Sequence, residues 1–281
     1  MPRLALVANH RSGSGEAERI GRLLVDGGAE IAAELDIADA ATADFHGDLV
    51  VVAGGDGSIA PVAARCAELG LPLAVIPVGT ANDFAARFGL AVPTERAVEL
   101  ALAADERRAV DLAYINERPF VNVASLGLAP DAARNAEELK DALGPLAYGA
   151  GAVRASAESE PISCTVNCGG TELYDGASWQ VMVGCSGAFG GGSKIDAIPD
   201  DGMLDVVVIE GGPRPRLAKH AFGLRTGTVE SQEGVHSSRC ERVTIEGNDL
   251  GAANVDGEVV DLDSTTLTFR VEPRAFELVI P

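Results

Sequence analysis

The chain has 281 residues, of which 47% are hydrophobic, and its 42 acidic and 22 basic side chains give a formal net charge of −20. This length supports one large domain or two of ordinary size, and we expect two. The acidic balance argues against nucleic acid as a partner, because phosphate backbones are bound by clustered Lys and Arg. No apolar run reaches the roughly 18 residues of a membrane span, and the N-terminus lacks a signal-peptide pattern. We therefore expect a cytoplasmic protein.

A high salt concentration in the host cell is one physical explanation of the large negative charge. At about 1 M salt, charges are screened within about 3 Å, and an acidic surface keeps a protein soluble. We therefore expect a halophilic source. Stability and activity compared between dilute buffer and molar KCl test this hypothesis.

The five cysteines are scattered among apolar neighbours and form no CxxC motif. We expect them to be reduced, small buried hydrophobic residues of a reducing compartment. Cys164 and Cys168 lie four residues apart on a predicted strand, so a bridge or a metal pair between them stays open.

The first predicted strand, residues 3–9, ends in a polar loop with two glycines, and a helix is expected from Glu16 to Val25. A helix N-terminus after such a loop offers unpaired N–H groups to a phosphate. The same sequence also fits a serine-rich N-cap turn.

The stretch from Asp48 to Phe84 contains two more strands that end in glycine loops. An apolar run (residues 48–53) leads into GGDGS (54–58) and a helix ending near Gly70, and a second run (73–76) leads into PVGTANDF (77–84). Loops that follow parallel strands gather at one edge of an open α/β sheet, where ligands bind. We expect the helix start near Thr80 to carry Asn82 and Asp83 in its first turn.

The glycines of the first loop allow close approach of the backbone to an anion. Asp56 accepts hydrogen bonds only, which beside a polyphosphate points to Mg²⁺ or to a hydrogen-bond network. For GGDG alone, an ordinary tight turn capped by the Asp side chain remains an equal alternative.

The two loops together resemble the catalytic domain of the diacylglycerol kinase family, a group of lipid kinases that includes sphingosine kinases and shares a superfamily with NAD kinases. The family pattern is GGDGT followed by P-x-GT-x-ND-F-A, and its first loop is N-P-x-S-G-x-G, so Gly15 matches as well. The resemblance implies nucleotide binding by Asn9, Ser12, Gly13, Gly54, Gly55, Asp56, Gly57, Ser58, Gly79, Thr80, Asn82 and Asp83.

Two segments depart from this pattern. Family members carry Asn-Glu where this chain has Ala60-Pro61, which removes a carboxylate near the phosphate loop. We expect the proline to lie in the first turn of its helix, where it is tolerated. Between Ile31 and Gly47 the chain is short for a strand and a full helix, so we expect a trimmed element.

The predicted secondary structure changes near residue 116 from alternating helices and strands to short strands. We place a domain boundary there. The predicted organisation is a Rossmann-like α/β domain (1–115), an antiparallel β-sandwich (116–271) with a helical insertion near 130–159, and a strand (272–281) that returns to the first domain. Strands in the second half are expected at 118–127, 162–168, 178–185, 204–209, 242–246, 254–259 and 267–271.

Two further motifs of the second half match the family. The segment from Gly190 to Asp205 resembles a glycine run followed by P-x-A-x-x-x-D-G-x-L-D, which implies a structural Mg²⁺ held by the Asp201 side chain and the carbonyls of Ile198 and Met203. Asp-Gly at 256–257 is first a hairpin turn. The resemblance to the family's D-G-E implies a catalytic set of Asp56, Asp256 and Glu258, in which Asp256 accepts the proton of a lipid hydroxyl, so we expect Asp256→Asn to fold normally and lose activity.

The resemblance therefore implies an ATP- and Mg²⁺-dependent lipid kinase whose site lies between its two domains and whose acceptor is a lipid alcohol at the inner face of a membrane. An NAD kinase is one alternative. A non-catalytic lipid- or nucleotide-binding module is another, motivated by Ala60-Pro61. The sequence leaves open the acceptor lipid and the oligomeric state, a homodimer included.

Overall fold

A computed structural model describes residues 2–9, 15–134 and 159–281 of the protein. The chain divides into two compact units. Unit 1 comprises Met1–Leu112 and Glu272–Pro281, and unit 2 comprises Ala113–Val271. In the described part of the chain, no helix is both long and apolar enough to cross a membrane.

Unit 1 is built on parallel strands between helices. Its strands are β1 (Arg3–Ala8), β2 (Glu30–Asp36), β3 (Leu49–Gly54), β4 (Leu73–Pro77) and most of β5 (Glu106–Ile115). Its helices are α1 (Glu16–Asp26), α2 (Asp56–Leu69), α3 (Asp83–Arg87) and α4 (Thr94–Ala103). The strand order is β4-β3-β1-β2.

The continuous apolar runs of β1 and β3 follow from this architecture, because both faces of a parallel sheet are covered. Every residue of β3 is buried, and so are the last five of β1. A short 3-10 helix (Ile37–Asp39) follows β2, which confirms the trimmed element. The α/β fold predicted for this half is therefore confirmed.

Unit 2 consists mainly of antiparallel strands. They are β6 (Arg118–Phe120), β7 (Val123–Gly127), β8 (Ile162–Cys168), β9 (Thr171–Gly184), β10 (Ala188–Phe189), β11 (Ser193–Lys194), β12 (Leu204–Glu210), β13 (Val235–Cys240), β14 (Arg242–Glu246), β15 (Ala252–Val255), β16 (Glu258–Asp261) and the start of β17 (Thr266–Ile280). The main order is β16-β15-β7-β9-β8-β14-β17, and β12 pairs with both β9 and β13. The β-sandwich prediction is confirmed.

Alternation along β12 shows how unit 2 buries both faces of its sheet. Val206 and Val208 belong to the main sandwich core, whereas Val207 and Ile209 belong to a second cluster on the other face. Helix α5 (Pro215–Thr226) contributes Leu217 and Leu224 to this second cluster.

The structure differs from the sequence-based expectations at several strands. Residues 254–259 are a hairpin, β15 and β16, and not one strand. The strands expected separately at 267–271 and 272–281 form the single strand β17. Helix α5 and strand β13 were not predicted. Of the expected helical insertion, residues 128–134 are helical and 135–158 lie outside the described residues.

The expectation for the cysteines is partly wrong. Cys168 and Cys240 form a disulfide with a Cα–Cα distance of 5.7 Å. Cys66, Cys164 and Cys185 are free and buried, as expected. Burial raises the pKa of the Cys66 thiol to about 12, so this thiol stays protonated.

Candidate functional site

Three neighbouring strands of unit 1 deliver the predicted nucleotide loops to one edge of the sheet. In the parallel register, Ala8 on β1 pairs with Ala53 on β3, and Gly54 on β3 pairs with Pro77 on β4. The exposed Asn9 and the loops after Gly54 and Pro77 therefore start side by side. Ser12 and Gly13 lie outside the described residues.

The two glycine loops touch through their backbones. The N–H of Val78 donates to the Gly54 carbonyl at 3.1 Å. A Cβ on Gly79 would lie 2.5 Å from the Cα of Gly55, which is too close for any residue but glycine. The contact explains the glycines at 55 and 79 and brings both loops within reach of a single ligand.

Asp56 ties the first loop to the helix that follows the second. It is the first residue of α2, and its carboxylate accepts hydrogen bonds from the main-chain N–H groups of Asp83 (3.1 Å) and Phe84 (2.8 Å) at the start of α3. Asp56 thus caps the start of α3, and its role as a site residue stays a prediction. Its hydrogen bonds fix the relative position of the two loops.

Asn82 shapes the second loop from within. It has a left-handed backbone (φ 52°), and its side chain accepts from the Gly79 N–H at 3.0 Å and donates to the Gly79 carbonyl at 2.8 Å. Asn is among the few side chains that tolerate this backbone and bond locally. The closed turn leaves Thr80 exposed, while Asp83 is buried.

The helix after GGDGS begins earlier than the sequence suggested. Because α2 starts at Asp56, Pro61 lies in its second turn and not in the first. Proline has no N–H, so the Gly57 carbonyl receives no helical hydrogen bond from position 61. Ser58 packs its side chain against Gly54, where a Cβ would lie 2.6 Å from the Ser58 Cβ.

Asp256 of unit 2 is buried and held by the main chain of the β6–β7 connection. Its carboxylate accepts hydrogen bonds from the N–H groups of Val121 (2.8 Å), Asn122 (2.8 Å) and Val123 (3.2 Å). Asp256 and Gly257 have φ values of 49° and 93°, as a tight two-residue hairpin turn requires. The turn therefore directs the carboxylate inward and fixes its orientation.

A cavity of about 390 Å³ lies beside this turn, within unit 2. Glu258 is exposed and pairs with Arg118, which lines the cavity. The cavity is lined by both apolar and polar side chains: Ile115, Asn116, Glu117, Arg118, Ala253, Val255, Val260, Asp261, Leu262, Asp263, Ser264 and Leu267.

In the turn predicted to bind a metal, the Asp201 carboxylate contacts an arginine side chain of the same unit. One Asp201 oxygen accepts from the Met203 N–H at 3.1 Å, and the other contacts the Arg239 guanidinium, which also bonds Asp205 at 2.8 Å. No cluster of three metal-binding side chains occurs among the described residues. The Asp201 carboxylate thus fits the guanidinium, and we derive no chemistry from a metal there. The set of Ile198, Asp201 and Met203 stays a prediction.

Asp205 was not assigned a role from sequence. It is buried, and its Oδ2 atom has no hydrogen-bond partner. Burial raises the pKa of this carboxyl to about 7, against the opposing effect of Arg239. Arg239 was missed too, since it lies 34 residues beyond Asp205 and joins it only through the pairing of β12 with β13.

Glycine loops at the carboxyl edge of a parallel sheet, with a β-sandwich unit that buries the Asp256 side chain, define a two-domain α/β and β-sandwich protein. Residues 3–115 match the diacylglycerol kinase catalytic domain, and residues 122–280 match the YegS C-terminal NAD kinase beta sandwich-like domain. The chain belongs to the diacylglycerol kinase family.

Individual relatives agree with this assignment. The chain is 30% identical over 238 residues to a probable lipid kinase YegS-like of Pseudomonas aeruginosa (strain UCBPP-PA14), covering 83% of this chain and 76% of the relative. It is 29% identical over 230 residues to a diacylglycerol kinase of Bacillus subtilis (strain 168), covering 78% and 73%. A crystal structure of a diacylglycerol kinase from Bacillus anthracis str. Sterne has the same fold, with a TM-score of 0.76, 21% identity, and coverage of 100% of this chain and 97% of that one.

Proposed function

We propose that the protein is an ATP- and Mg²⁺-dependent lipid kinase that transfers the γ-phosphoryl group of ATP to a lipid hydroxyl. The observation that carries the proposal is the fixed pair of glycine loops, joined by the Gly55–Gly79 contact and by the hydrogen bonds of Asp56 to the start of α3. Relatives named as lipid kinase and diacylglycerol kinase support it.

The donor site would be formed by the loops of unit 1. Main-chain N–H groups at the start of α2 would offer hydrogen bonds to a phosphate at the edge of the sheet. Phosphoryl transfer requires mainly positioning and positive charge, which bound Mg²⁺ supplies. Asp56 and the loop carbonyls offer the oxygen ligands that this ion prefers.

The acceptor would be handled by unit 2. The main chain holds the Asp256 carboxylate in a single orientation, and we propose that it receives the proton of the acceptor hydroxyl, a step worth about 10² or more in rate. Glu258, through its pair with Arg118, would hold the cavity edge next to this group. The apolar cavity lining would bind part of the lipid.

Transfer of labelled γ-phosphate from ATP tests the function. The assay contains Mg²⁺, molar KCl and a lipid extract of the host in micelles, with NAD as the acceptor in a parallel reaction. Label in a lipid supports the proposal, and identifying that lipid names the substrate. Label in NAD assigns the protein to the NAD kinases, and label in neither, with ATP still bound, favours a binding protein.

The acceptor cavity is tested separately by filling it. Val260 lines the cavity and Val259, its neighbour on β16, does not. We expect Val260→Trp to raise the KM for the lipid at least about tenfold while the KM for ATP stays unchanged, since a large side chain excludes the acceptor only. Val259→Trp is the matched control, and equal effects of the two variants would remove the cavity from the proposal.

A further inference from the structure

Helix α5 carries the most basic segment of this acidic chain. Residues 211–229 contain four basic side chains and no acidic one, although acids outnumber bases by 42 to 22 in the whole protein. This segment was not used in the sequence-based prediction of function, and its helix takes no part in the site described above.

The outward face of α5 combines these charges with an exposed aromatic ring. Leu217, His220, Gly223 and Leu224 are buried on the inward face. Phe222, 69% exposed, is the most exposed large hydrophobic side chain among the described residues. At about 100° per residue, Phe222 lies opposite the buried face, with Lys219 and Arg225 three residues to either side of it.

These charges are available to an external partner. Lys219 is exposed and makes no ion pair with any described residue. Arg225 donates to the Gly191 carbonyl at 2.8 Å, which leaves its charge without a carboxylate. Arg214, in contrast, pairs with Glu160 and stacks over Trp179, so it is not part of this face.

A comparison with α1 shows that the combination is not general. Val25 on α1 is also exposed, at 51%. It lies beside Asp26, and the nearby Arg22 pairs with Glu18, so its surroundings are mixed in charge. Only α5, among the described helices, presents an exposed aromatic ring within unpaired positive charge.

We propose that the outward face of α5, formed by Lys219, Phe222 and Arg225, docks the protein on an anionic lipid surface. Basic side chains near such a surface are attracted to it, and an exposed aromatic ring enters the headgroup region. The net charge of −20 does not prevent this, because at physiological salt charges beyond about 8 Å from the membrane are screened. The inference goes beyond the proposed function and does not depend on catalysis.

Cosedimentation with vesicles tests the proposal on the full chain. The vesicles are pure phosphatidylcholine, or phosphatidylcholine with about 30% phosphatidylglycerol, the anionic lipid providing the negative surface potential. They contain no nucleotide and no acceptor lipid, so this result and that of the kinase assay are independent. We expect binding to the anionic vesicles only, decreasing as salt rises.

Charge-matched variants locate the surface. The double variant Lys219→Glu/Arg225→Glu should lose about 30-fold or more in affinity, at about fivefold per basic residue. The control Arg22→Glu/Arg96→Glu changes the net charge equally on α1 and α4 and should stay within about twofold of wild type, because charges away from the contact are screened. Phe222→Ser should weaken binding at every salt concentration. Equal binding to both kinds of vesicle, or equal loss in the two double variants, would overturn the proposal.

Discussion

Substituting Asp256 by Asn should destabilise unit 2 as well as slow the reaction. One carboxylate oxygen accepts from Asn122 and Val123 and the other from Val121, all at 2.8–3.2 Å. Asn can keep the first oxygen but must place its NH₂ group opposite the Val121 N–H. Two donors then face each other in a buried position.

The size of the effect follows from the hydrogen bonds. Bonds to a charged acceptor contribute about 1.5–3 kcal/mol each, neutral ones about 1 kcal/mol, and an unsatisfied buried donor costs about 1–3 kcal/mol. We therefore expect Asp256→Asn to lower the free energy of unfolding by about 3 kcal/mol, which corresponds to a decrease in Tm of about 6–12 °C for a unit of this size. The left-handed backbone at 256 adds nothing, because Asn tolerates it as well as Asp.

Thermal unfolding followed by circular dichroism measures this change. Glu258→Gln is the matched control. It also removes one negative charge, but Glu258 lies two residues after Asp256 and belongs to an exposed ion pair, so the free energy of unfolding should fall by about 0.5 kcal/mol or less. If Asp256→Asn unfolds at the same temperature as Glu258→Gln, the main chain does not depend on this carboxylate and the reasoning fails. The sequence alone led to the expectation of normal folding for Asp256→Asn, and the geometry replaces it.

Three further predictions concern neighbouring features. Asp205 has a pKa of about 7 in the folded state, above its ordinary value near 4. Its contribution to stability is therefore full below pH 4 and is lost as pH rises through 7. We expect the Tm of wild type to fall between pH 5 and 8, and Asp205→Asn to flatten this fall. Since Arg239 supplies the cation at Asp201, EDTA should leave the Tm of wild type unchanged, whereas Arg239→Met should lose about 2 kcal/mol and regain part of it with Mg²⁺ in a thermal shift assay. Gly79→Ala should abolish ATP binding in calorimetry because its Cβ overlaps the Gly55 backbone, and Gly21→Ala, with only ordinary contacts at 3.6 Å, should bind ATP normally.

Much of unit 1 was predictable because its signals are local. Buried parallel strands give unbroken apolar runs, and each run here ends in glycines that mark a turn. Pro61 was misplaced by one turn because the helix begins on Asp56, inside the glycine motif. The Asp56 side chain is fixed there by hydrogen bonds to the start of α3, a contact that the local sequence does not specify.

The features that were missed depend on contacts distant in sequence. Cys168 and Cys240 are separated by 72 residues, and Cys240 ends β13 just before β14, whose pairing with β8 brings it near Cys168. Helix α5 gives a weak periodic signal, since its buried face contains His220 and Gly223 as well as two leucines. The Asp201–Arg239–Asp205 contacts require the pairing of β12 with β13, which no local pattern specifies.

The motif aspartates share a property that changes how their variants should be interpreted. Each of the three carboxylates accepts hydrogen bonds from main-chain N–H groups. The donors to Asp56 are at the start of α3, the donor to Asp201 is Met203, and the donors to Asp256 are residues 121–123. A structural role in a turn and a functional role are therefore compatible for each motif, because the turn orients the carboxylate. It follows that lost activity in any of these variants identifies a chemical role only when unfolding is measured on the same protein.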